Sequence, residues 1–189
     1  MKGAFDQLVN SFKEAIQCFP DKRIGKNWTY SMEDAALGAF SVFFTQCPSF
    51  LAYQRGMQEA EGKSNAQTLF GIKEIPTDNH IRSLLDPVSP EIMYPVFDTA
   101  FNLLNKKGHI DKFRAIKGDL IIILYATWYF SSKKIHCDSC LTKKHRDGTI
   151  TYYHGAITQV IAKPGCNKVI TLPSEFILPQ DGHTTPLTQ

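Results

Sequence analysis

The chain has 189 residues, 43% hydrophobic and 12% aromatic, with a formal net charge of +3. That composition supplies a core and excludes compositional disorder, while so mild a positive charge permits nucleic-acid binding without demanding it. Five cysteines without a signal-peptide pattern predict a reducing, cytoplasmic setting with thiols free or on metal, and no apolar run reaches the roughly 18 residues of a membrane span.

Residues 1–114 read as helical. Phe5, Leu8, Phe12, Ile16 and Phe19 recur on one helical face. Ser31, followed by Glu33 and Asp34, reads as the N-cap of a second helix whose body is apolar nearly all round, predicting the most buried helix of this half. Pro48 ends it and starts a third. Between about 66 and 86 a helix, a glycine turn at Gly71, a Pro76-Thr77 cap and a short helix form a helix-turn-helix-like pair. Ile81, Leu84 and Leu85 would face inward there. Asn79, His80, Arg82 and Ser83 would lie near the exposed N-terminal end, either to meet DNA or simply as a solvated face. A last helix near 91–107 would bury Ile92, Val96, Phe97, Phe101 and Leu104.

From Asp119 to about 178 the pattern changes to strands. Leu120–Leu124 is a continuous apolar run rich in β-branched residues, read as a strand buried on both faces. Residues 149–162 form a long β-branched run and 168–172 a shorter one, with a Pro164-Gly165-Cys166-Asn167 turn between them predicting a hairpin. The fold class is therefore α+β.

His136-Cys137-Asp138-Ser139-Cys140 places two thiols on a short loop, with His145 and His154 following. Cys-x-x-Cys can present two thiolates to one tetrahedral Zn2+, with one or two histidines completing a structural site; unligated thiols are the alternative. Lys133-Lys134 and Lys143-Lys144-His145-Arg146 flank that loop. A loop closed by metal would gather them into a phosphate-tracking patch, against the plainer reading of a solvated loop.

The apolar run leads into Tyr125-Ala126-Thr127-Trp128-Tyr129-Phe130-Ser131-Ser132. This segment resembles the first catalytic strand of insertion-sequence DDE transposases, where an apolar run leads into Asp-Gly-Thr-Glu-Tyr-Phe-Ser-Ser. The resemblance also runs through AFSVFFTQ, SFLAYQR, SNAQTLFG, the IP-x-DN-x-IR-x-LLDP phrase and Pro179-Gln180-Asp181-Gly182-His183, and the Cys and His placement appears in the family segment too. It implies the first three antiparallel strands of an incomplete ribonuclease-H-like fold over 119–178, with the first strand left with an unpaired edge and an apolar face for want of the later strand that flanks it in the family, and a tail, 179–189, that opens on that last phrase and diverges from Thr184. It further implies DNA cutting and joining at the element's terminal repeats with Mg2+. Two-metal chemistry of that kind needs converging carboxylates, and the family's first catalytic aspartate falls on Tyr125. Asp119, Asp138, Asp147, Glu175 and Asp181 lie outside the motif positions.

The expectation is a truncated, catalytically inactive transposase relative that binds insertion-sequence ends, self-associating or forming mixed oligomers with an intact transposase. The alternatives are an inert open reading frame remnant, and an active metal-dependent nuclease using repositioned acids such as Asp119.

Overall fold

A computed structural model describes residues 3–25, 28–60, 65–73 and 76–179. The chain divides into two compact units, Met1–Leu103 and Leu104–Gln189. Among the described residues it is an α+β protein with six α-helices and a five-stranded antiparallel sheet.

The first unit contains α1 (Ala4–Ile16), α2 (Met32–Phe44), α3 (Phe50–Glu59), α4 (Asn65–Phe70), α5 (Asp78–Leu85) and most of α6 (Tyr94–Lys106). Ser31 caps α2, its hydroxyl accepting the Asp34 N–H at 2.8 Å. Asp34 in turn accepts the Lys73 N–H at 3.0 Å, tying the segment after α4 to the start of α2. Ala35, Ala36, Leu37, Gly38, Ser41 and Val42 are buried along α2. Of these, Ala36, Leu37 and Val42 form a core with Ile16, Tyr53, Met57, Phe70 and Ile72. Phe70 lies at the centre, within 5.5–6.1 Å of the rings of Phe5, Phe40 and Phe44. The all-round apolar character of α2 exceeds what the unit covers, and Phe43 is left 75% exposed. The apolar face of α6 is only half-buried, with no fully buried residue. The Ser11 and Thr99 hydroxyls, 3.0 Å apart, link α1 to α6. The units divide within α6, whereas the sequence reading placed the boundary near residue 114.

The second unit contains β1 (Ile121–Ser132), β2 (Leu141–Lys144), β3 (Ile150–Ala162), β4 (Ile170–Thr171) and β5 (Glu175–Ile177). The long β3 is central. β1 pairs along one side of it, while β2, β5 and β4 pair with successive stretches of the other. A bulge between Trp128 and Phe130 makes Tyr129 an extra residue in β1.

Three features depart from the sequence reading. The first strand runs on to Ser132, well beyond the apolar run. Its unpaired edge agrees with the expectation, but its faces are not buried: every residue from Ile122 to Tyr129 is exposed. A continuous apolar run signals the capacity for burial on both faces, but what covers the strand is set elsewhere in the chain. The third is β2. The Lys143-Lys144 stretch, read as loop, is a strand closed by a hairpin at Asp147-Gly148, where Gly148 takes φ 83°. Its two lysines masked the strand pattern.

Candidate metal centre

The hairpin from β2 to β3 builds a three-residue cluster. Leu141 pairs with Tyr153, so Cys140, one residue before β2, comes beside His154 on β3. The Cys-x-x-Cys turn folds Cys137 back onto them. The Cys140 N–H donates to the Cys137 carbonyl at 3.1 Å, and the Cys137 N–H points at Cys140 Sγ at 3.3 Å. The two sulfurs are 3.8 Å apart, and each is 3.3 Å from His154 Nε2.

A tetrahedral zinc with sulfur at about 2.3 Å and nitrogen at about 2.0 Å requires about 3.8 Å between sulfurs and about 3.5 Å from sulfur to nitrogen. The three atoms therefore lie close to the positions of one tetrahedral face. Cys140 is buried, His154 half-buried and Cys137 exposed, and no further His, Cys, Asp or Glu among the described residues joins the group. The cluster can hold a metal such as zinc, and its fourth corner is left to a group from outside this set.

His145 does not take that corner. It sits in the hairpin turn with Nε2 2.8 Å from Thr151 Oγ1. Thr151 and His154 are three positions apart on β3, and successive strand residues alternate faces, so their side chains lie on opposite sides of the sheet. The Asp147-Gly148 turn signal, followed by a count of strand positions, would have separated the two histidines from sequence alone.

Aromatic rings pack around the cluster. Tyr129 stacks on His154 with centroids 5.8 Å apart, and Phe130 approaches it at 5.7 Å. The bulge lets two consecutive β1 residues reach the same imidazole. Although Tyr129 is exposed overall, local desolvation, helped by the neighbouring Cys137 and Cys140 sulfurs, pushes its phenol above its ordinary value. His136, outside the cluster, stacks on Tyr152 at 4.3 Å.

The basic residues line the same end of the sheet without converging on one loop. Lys133 and Lys134 follow Ser132, which pairs with Tyr152 from one side of β3, and Lys143 pairs with Thr151 from the other. Lys143 reaches over the Trp128 ring at 5.6 Å, and Trp128 stacks on Tyr153 at 4.1 Å. Lys133, Lys134, Lys143, Lys144 and Arg146 are all exposed. In the turn, the Thr149 N–H and hydroxyl bonds to Asp147, with His145 and Lys133 nearby, hold the Asp147 carboxyl below its ordinary value.

In the first unit, Gly71 (φ 71°) turns the chain after α4, and α5 packs against α2, with Ile81 and Leu84 buried and Leu85 against the helical core. Asn79 and Arg82 are exposed on α5. His80 departs from the expectation of an exposed position. It is half-buried, 6.1 Å from the Tyr30 ring, and lines a pocket of about 430 Å3 with Arg23, Trp28, Thr29, Tyr30 and Thr77.

Tyr125, in the place of the expected aspartate, pairs with Thr158 and is half exposed. Asp119, Asp138, Asp147 and Glu175 are exposed, and none belongs to a metal-competent cluster among the described residues. Asp181 and the diverging tail from Gln180 lie outside the described residues. Comparison with protein-family models, with curated proteins and with solved structures finds no match to this chain.

Proposed function

We propose that this chain is a non-catalytic DNA-binding protein related to insertion-sequence DDE transposases, its basic hairpin clasped by zinc on Cys137, Cys140 and His154. The observation that carries the reading is the α4–Gly71–α5 arrangement: α5 buries Ile81 and Leu84 on one side and offers Asn79 and Arg82 on the other. Such a helix is suited to placing polar side chains against base edges in a groove. The exposed lysines of the second unit supply the sequence-independent phosphate attraction that accompanies such contacts. Tyr125 speaks against catalysis, since a phenol does not replace the bridging carboxylate that two-metal phosphodiester chemistry uses.

The test is fluorescence anisotropy with duplexes carrying an insertion-sequence end and with scrambled duplexes. Arg82→Ala should weaken the former by about 1–3 kcal/mol while leaving the latter nearly unchanged. Equal losses on both, or no binding by the unmodified protein, would remove the specific-binding reading.

A further inference from the structure

We propose that the free edge of β1 is a self-association surface, pairing antiparallel with β1 of a second copy about a two-fold axis at Ala126. Among the described residues β1 hydrogen-bonds only β3, leaving the backbone groups of its other edge unpaired within the sheet. An exposed strand edge is a template for another strand, and proteins usually blunt one with charges or proline. β1 has neither. From Ile121 to Ser132 it carries no charged residue, and Ile122, Ile123, Leu124, Tyr125, Trp128 and Tyr129 are all large, apolar or aromatic, and exposed.

The charges at its ends select the occupant. Asp119 lies just before the strand and Lys133-Lys134 just after it, all exposed. Lys117 falls outside the strand direction, because the chain turns at Gly118 with φ 86°. Parallel pairing of two copies would set Asp119 beside Asp119 and lysine beside lysine. Antiparallel pairing centred on Ala126 sets each copy's Asp119 at the end of the strand pair where the other's Lys133-Lys134 bend, held by the Ser132 hydroxyl, emerges. The central pairs then run from Leu124 to Trp128, short of the bulge, with Tyr125 facing Thr127 and Leu124 facing Trp128. A one-residue shift from the bulge replaces Lys133 by Lys134, so the charge match survives it. The interface is isologous and closes on itself, giving a dimer and not a fibre.

This proposal stands apart from DNA binding and holds or fails without it. The test is analytical ultracentrifugation of the full chain with charge-swap variants. The unmodified protein should dimerise reversibly. Lys133→Glu with Lys134→Glu should weaken the dimer by about tenfold, as should Asp119→Lys alone. All three together should restore it. Independently of those variants, Ala126→Cys should cross-link into a disulfide dimer on mild oxidation above the background of the native cysteines, because the two Ala126 positions face each other within disulfide reach. Ser131→Cys, whose counterpart is Ile121 or, with the bulge shift, Ile122, should not exceed that background. A monomer at every concentration would overturn the proposal. So would a dimer or aggregate indifferent to the charge swap, with no preferential cross-link at position 126.

Discussion

Cys140 Sγ lies 3.3 Å from His154 Nε2 across 14 residues of sequence, because the Leu141–Tyr153 pair aligns the residues on either side of it. This one register relation decides which histidine can share a metal with the Cys-x-x-Cys turn. It also makes the cluster testable residue by residue.

Titration with Zn2+ or Co2+ should therefore give one equivalent bound, with thiolate-to-metal charge-transfer absorption for Co2+. Cys137→Ser, Cys140→Ser and His154→Ala should each cost at least about 1.4 kcal/mol, a tenfold loss in affinity. His145→Ala should leave binding within about twofold. Affinity should fall as pH falls, because the ligands bind in deprotonated form and protons compete with the metal. Equal damage from His145→Ala would mean that the turn rearranges to bring it in.

Neither the native protein nor Tyr125→Asp should nick or join DNA with Mg2+ or Mn2+. Position 125 pairs with Thr158 on β3, and no carboxylate cluster forms among the described residues to complete a two-metal site. The readout is conversion of supercoiled plasmid to open circles, and sustained nicking by either protein contradicts the expectation.

The helical unit should be sensitive at its centre and tolerant at its surface. Phe70 is 1% exposed, so Phe70→Ala should cost about 3–5 kcal/mol in urea unfolding. Phe43, on the adjoining helix but 75% exposed, should tolerate alanine within about 0.5 kcal/mol. Comparable losses would mean that Phe43 is covered in solution.

Asp21 offers a pH-dependent test. Its bidentate bond to Arg23, at 2.8 and 2.6 Å, holds the carboxyl down to about 2 from 3.8. A depressed folded-state value means that this contribution is complete above the unfolded value of 3.8 and is lost as pH falls through about 2. NMR titration of the Asp21 side chain should find its midpoint near 2, and Arg23→Ala should return it toward 3.8. A midpoint unchanged by that substitution would assign the depression to another group.

Much of the local structure was legible in sequence because single residues carry it. Ser31 marks the start of α2, Gly71 the turn after α4, and the β-branched run at 149–162 the central strand. Coverage was legible only in part. The unpaired edge of β1 was expected. Leu120–Leu124 and the body of α2, however, have the composition of buried segments, yet the faces of β1 are exposed and Phe43 faces solvent. Apolar content fixes what an element can bury, while the partner that covers it is set by topology far away in the chain. The metal cluster was half legible: spacing picked out Cys137, Cys140 and a histidine, but choosing His154 over His145 required the alternation of strand faces. β2 was missed because two lysines in four residues hide the strand pattern that its pairing with β3 provides.

The Asp147-Gly148 turn has a consequence for the order of assembly. All three cluster residues, and the turn that aligns them, fall between Cys137 and His154, so the loop to be closed is short and its entropic cost small. A centre encoded at such short range can form early, before the distant β1–β3 ladder or the helical unit is complete. Metal would then act on the denatured ensemble as well as on the native state, pinning the hairpin in chains that have not yet folded. Added Zn2+ should speed formation of the sheet, and in an otherwise unfolded chain it should order residues 137–154 alone.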